Sequence, residues 1–122
     1  MTEILLKMKN SIVLVPFPFD DFSTLKVRPA LCLTNEIGNY NHIIIAFISS
    51  KINDELLESD LIIKLKEDLK SGLQVDSVIK LHKLVTIPKI LIKRKLGIIS
   101  DLNIEIIENK LSKLFSLNKT NL

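Results

Sequence analysis

Apolar positions in this chain come in short blocks, each ended by a turn-forming cluster. SIVLVP (Ser11 to Pro16) is β-branched and apolar, and it runs into PFPFDDFSTLKVRP, which predicts a strand entering a long, proline-punctuated loop. Loops of that length usually carry function. ALCLTN (Ala30 to Asn35) predicts a second strand, and EIGNYN, with Gly38 and two asparagines, predicts a hairpin turn after it. NHIIIAFISS (Asn41 to Ser50) is almost continuously apolar, as expected of a central strand buried on both faces, with Ser49 and Ser50 emerging at its rim. DLIIKL (Asp60 to Leu65) predicts a short strand and EDLKSGL a turn around Gly72.

DSVIKLHKLVTI alternates, which places Val78, Lys80, His82 and Leu84 on one face and Ser77, Ile79, Leu81 and Lys83 on the other. Pro88 ends this strand, and IKRKLGIIS holds one more. Ser100 or Asp101 then caps a final helix, whose Ile104, Ile107, Leu111, Leu114 and Phe115 form one apolar stripe facing the sheet. Glu105, Asn109, Lys110 and Lys113 occupy the opposite side. The fold class is mainly β with a C-terminal helix, a small barrel-like domain.

Composition narrows the picture. With 122 residues, 47% of them hydrophobic and 25% charged, the chain reads as one folded domain over residues 1–122, with a leader over 1–9 and a fraying tail over 118–122. Its apolar runs fall well short of the roughly 20 residues of a membrane helix, and the amino-terminal stretch lacks a signal-peptide cleavage pattern, so a cytoplasmic location is expected. A net charge of +3 and a pI of about 9.0 suit a polyanionic partner without requiring one. Cys32 stands alone in an apolar run, as a small hydrophobe. The two histidines lie forty residues apart and there is no phosphate-binding loop, dinucleotide glycine pattern or nucleophile elbow, so no metal and no cofactor is expected.

The remaining chemistry is concentrated where strands end. Arg28 precedes Pro29 at the start of one strand, and Ile48-Ser49-Ser50 ends the next. The order IVLVPFPFDD, KVRPALCLTN, IIIAFISSK, GLQVDSVIKLHKLVTIPK, KLGIIS and a helix resembles the MazF/PemK toxin family across nearly the whole chain. The resemblance implies an SH3-like β-barrel that forms a homodimer, cleaves single-stranded RNA at selected sequences without metal, and is held in check by a cognate antitoxin protein. It also implies that Arg28 and Ser49 contribute to catalysis. Those residue types fit the chemistry: a guanidinium binds phosphoryl oxygens through two parallel hydrogen bonds, and a hydroxyl donates a further one. Arg28 is too basic to be the general base.

Lys80 and His82 align with a position where some PemK-like members carry an arginine and an aspartate, which makes His82 a candidate acid or base. His42, in the turn before the third strand, is a weaker candidate. Lys26, Ser50, Lys51, Lys80 and Lys83 are candidates for tracking an RNA backbone, and Phe19 and Phe22 for stacking on bases. Against each stands a simpler role: Arg28 in a salt bridge to Asp20 or Asp21, His82 as a packing residue, and Phe17 and Phe19 in a core or dimer contact.

The chain departs from the family where Asn10-Ser11 replaces a Gly-Asp pair, where the acidic FDDFSTLK replaces a glycine-rich loop, and where Val85 replaces an arginine. Two alternatives therefore accompany the ribonuclease reading: a non-catalytic member that binds only RNA or antitoxin, and a gyrase poison of the CcdB kind. The latter is expected to carry a tail rich in tryptophan or glycine, and this chain has no tryptophan.

Overall fold

The structure is a computed structural model and describes residues 7–17, 26–52 and 55–117. Six strands are present, β1 (Ser11–Phe17), β2 (Lys26–Cys32), β3 (His42–Ser49), β4 (Asp60–Ile63), β5 (Ser77–Pro88) and β6 (Arg94–Ile98), followed by helix α1 (Asp101–Leu114). All pairings are antiparallel, in the order β4-β5-β3-β2-β1-β6. The β-branched run of β3 lies at the centre, between β5 and β2, and its residues alternate between two buried faces. Among the described residues no helix is long and apolar enough to cross a membrane.

Although β4 and β6 are opposite edges of the sheet, the chain leaving β4 returns to β6. Ile98 N–H donates to Lys70 C=O at 2.9 Å, so the sheet curls on itself into a half-barrel. Two glycines allow this approach. A Cβ at Gly97 would lie 2.1 Å from the Lys70 carbonyl oxygen, and one at Gly72 would lie 2.1 Å from that of Leu96. Gly72 also has φ +76, in the left-handed region that side chains disfavour.

The curl encloses Ile12, Leu31, Ala46, Ile48, Ile63, Ile79, Leu81 and Ile99, and α1 closes this cluster with Ile107. Burying that one isoleucine is worth roughly 1.5–3 kcal/mol. Ser100 is the N-cap, its Oγ accepting Asn103 N–H at 3.2 Å, and buried Asp68 accepts Ser100 N–H at 2.8 Å and a hydrogen bond from the Asn103 amide. Of the expected helix stripe, Ile104, Ile107 and Leu111 pack inward. Leu114 and Phe115 remain exposed, because the helix ends there and runs past the sheet.

The opposite face of the sheet holds a second cluster of Val13, Val15, Ala30, Cys32, Ile43, Ile45 and Ile87. Burial pushes the Cys32 thiol up to about 12, against a smaller lowering by the Lys95 charge. Two further expectations are corrected. β2 begins at Lys26 and not at Ala30, because Lys26 to Pro29 pair with β1 although they do not reach β3. The alternation of β5 also fails after Leu81. Phe47 pairs with Lys80 but its neighbour Ala46 pairs with Leu84, so Leu81, His82 and Lys83 form a bulge, and Leu84 packs on the helix-covered face with Ile79 and Leu81.

Gly97→Ala is expected to lower stability by at least about 2 kcal/mol in urea unfolding, through backbone displacement, whereas Leu69→Ala, at an 85% exposed position in the same crossing, should change it by less than about 0.5 kcal/mol. Cys32 is expected to be inert to thiolate-directed reagents at about pH 8 in the folded protein and to react at once in denaturant, read by absorbance of the released chromophore.

Candidate active site

Proline chemistry opens the site. A proline cannot donate to a strand ladder, and pairing between β2 and β3 begins only after Pro29, at Ala30 opposite Phe47. Extending that register by two residues brings Arg28 level with Ser49, where the two strands no longer exchange backbone hydrogen bonds. Arg28 and Ser49 both follow the alternation of Ala30 and Phe47, which puts them on the sheet face away from α1. Continued in this way, the register puts the two residues singled out in the sequence on one face, just beyond the end of the ladder.

Arg28 is exposed, and no described residue forms an ion pair with it; Asp20 and Asp21, its alternative partners, lie outside the described residues. Ser49 is half-buried, and its Oγ accepts Lys51 N–H at 3.0 Å. That bond fixes the hydroxyl oxygen, and among the described residues the hydroxyl proton is uncommitted. Ser50 and Lys51 follow on the exposed rim, and Lys26 is exposed at the start of β2. Phe19 and Phe22 lie outside the described residues.

On the far side of Ser49, β5 places Val78 directly opposite it and Lys80 opposite Phe47. Lys80 and Phe47 thus share the face with Arg28, and the half-buried Phe47 side chain packs against the second cluster. His82 and Lys83 extend from the bulge and are exposed. Val85, where the family often has an arginine, is half-buried opposite Ile45 and packs into the second cluster, so at this position the chain supplies core in place of a cation. His42 lies at the other end of β3, seven residues or roughly 23 Å from Ser49, with its ring tilted against Tyr40 at 6.1 Å between centroids. It is not part of this constellation.

The residue that sequence reasoning missed is Asp60. It opens β4 opposite Lys80, and its side chain is fully buried. Its Oδ2 accepts Leu57 N–H at 2.9 Å and lies 3.4 Å from Lys80 Nζ. Its Oδ1 lies 3.9 Å from His82 Nδ1 and is the buried side-chain atom that lacks a hydrogen-bond partner among the described residues. An acid heading an otherwise apolar strand was the available signal. Its partners became visible only once the register of β4 on β5 was known.

The arrangement is a row of cationic and hydroxyl donors, Arg28, Ser49 and Lys80, with an imidazole at one end backed by a buried carboxylate. Such a row can bind a phosphate, donate to its oxygens and exchange a proton beside it.

The fold is similar to those of solved structures. The Mycobacterium tuberculosis toxin MazF-mt6 superposes with a TM-score of 0.69 at 21% identity, covering 89% of this chain and 99% of that one. An endoribonuclease in complex with its cognate antitoxin, from a mycobacterial species, gives a TM-score of 0.67 at 10% identity, covering 92% of this chain and 97% of that one. No curated protein sequence matches. At these identities the superpositions establish the half-barrel fold alone, but residues 8–115 match the model of the PemK-like, MazF-like toxins of type II toxin-antitoxin systems, and the chain belongs to that family.

Proposed function

We propose that this toxin is a metal-independent endoribonuclease that cuts single-stranded RNA at selected sequences, acts as a homodimer and is neutralised by a cognate antitoxin. The observation that supports this reading is that strand alternation puts Arg28 and Ser49 on one sheet face just past the end of the β2–β3 ladder. Family membership supports the toxin role, and the mycobacterial endoribonuclease bound to its antitoxin supports the partner.

In the proposed reaction the RNA 2′-oxygen attacks the adjacent phosphorus, the bond from phosphorus to the 5′-oxygen breaks, and the products are a 2′,3′-cyclic phosphate and a 5′-hydroxyl. The proton lost by the 2′-hydroxyl goes to a base, and the departing oxygen gains one. Arg28 holds the non-bridging oxygens, whose negative charge grows in the transition state, and Ser49 adds a hydrogen bond from the opposing strand. His82, as a neutral imidazole, takes the 2′-hydroxyl proton. Lys26, Ser50, Lys51, Lys80 and Lys83 carry the flanking phosphates, each cation adding an electrostatic contribution that weakens with salt.

Incubated with a long single-stranded RNA in the presence of EDTA, the protein is expected to produce discrete cuts with cyclic-phosphate ends. Arg28→Ala should reduce the cleavage rate by about 100-fold or more, with unfolding behaviour unchanged because the side chain is exposed. Full activity in that variant would remove Arg28 from the mechanism. Absence of any cuts by a folded wild-type protein would favour a toxin that binds without cleaving, the reading that matches apolar Val85 in place of a cation.

A further inference from the structure

The unpartnered buried oxygen of Asp60 has a direction. Of the two carboxylate oxygens, Oδ2 is engaged by Leu57 N–H and Lys80 Nζ, and Oδ1 faces His82 Nδ1 at 3.9 Å. A fully buried carboxylate oxygen without a hydrogen bond is costly, on the order of 1–3 kcal/mol or more, so a donor in that direction is strongly favoured. His82 sits in the β5 bulge, outside the regular ladder, where strand pairing does not fix it. The 3.9 Å separation is about 1 Å longer than an ordinary N–H···O hydrogen bond, so only a small closing movement would be needed to make one. With Nδ1 protonated, Nε2 becomes the ring's lone-pair nitrogen, and it lies on the opposite side of the ring, away from the buried acid.

We propose that Asp60 is a positioning residue of the site: its buried carboxylate selects the Nδ1–H tautomer of His82, leaving Nε2 as the proton acceptor, and at the same time anchors Lys80 on the same face. Asp60 does not touch RNA. It acts through His82 and Lys80, and its catalytic consequence rests on the ribonuclease reading above, whereas the tautomer itself does not.

The test uses the full chain and has two arms. In the first, the imidazole nitrogens of His82 are observed by long-range proton–nitrogen correlation NMR at about pH 8.5, where an ordinary histidine is neutral. The wild type should show His82 chiefly in the Nδ1–H form, and Asp60→Asn, which is isosteric and still able to accept Leu57 N–H, should shift it toward the Nε2–H form that dominates in free histidine. Lys80→Met should leave the tautomer as in the wild type. An unchanged tautomer in Asp60→Asn overturns the proposal whether or not the protein cleaves RNA, so failure here is distinct from failure of the ribonuclease reading.

In the second arm, for the cleaving protein, Asp60→Asn should lower kcat by at least about tenfold through His82 and should cause no further loss in kcat when added to His82→Ala, its effect through Lys80 appearing in KM. A loss that is the same in both backgrounds would make Asp60 a purely structural acid and overturn its positioning role. Urea unfolding of Asp60→Asn confirms that the variants compared are folded.

Discussion

The contact of backbone with backbone between Lys70 and Gly72 on one side and Leu96 and Ile98 on the other turns a flat ladder of six strands into a half-barrel. The order β4-β5-β3-β2-β1-β6 leaves two edges that are far apart in the sheet, and only a close approach of the crossing chain to β6 brings them together. That approach needs Gly72 and Gly97, since a single methyl group at either would sit inside a carbonyl oxygen. Once the sheet curls, its enclosed face gathers residues from β1 to β5, and the short helix can complete the core with one buried isoleucine. Asp68, in the same crossing, fastens the helix start through Ser100 and Asn103, so curvature and helix placement are set by one stretch of chain.

The outer face inherits its polarity from where that regularity fails. Pro29 ends the β2–β3 ladder and the β5 bulge ends the strict alternation on β5, and the exposed or half-buried Arg28, Ser49, Lys80 and His82 lie around these two interruptions. Further along the same face, where the strands stay paired, the positions are apolar, as at Ala30, Ile45 and Val85. Polar groups here face solvent or one another, and the buried member, Asp60, is tied to Leu57 and Lys80 and faces His82. A buried ion pair adds little net stability because desolvation of the charges offsets their attraction, and its value lies in fixing where the groups point.

Much of this was legible in the residues themselves. The β-branched blocks marked the strands, Ser100 marked the helix start, Gly72 marked the turn, and the order of Arg28-Pro29, Ser49 and the helix carried the family resemblance. These are local signals, set by backbone sterics, capping and side-chain periodicity over a few residues, and they survive without knowledge of the partner strand. The start of β2 was misplaced because Lys26 to Pro29 are held by pairing to β1 and not by their own apolar character. The phase of β5 beyond Leu81 was misread because a bulge depends on the register of a neighbouring strand.

By itself, then, the sequence determined which segments would be strands, where the helix begins, which core positions must be apolar, and the family to which the chain belongs. Tertiary structure alone decided that the β2–β3 ladder ends at Ala30 opposite Phe47, that Val85 is packed in the second cluster, and that Asp60 stands behind Lys80 and His82. The reason is physical: a strand's periodicity assigns each side chain to a face, but which residues on different strands become neighbours depends on register and bulges. Those are fixed by hydrogen bonds between segments distant in the chain.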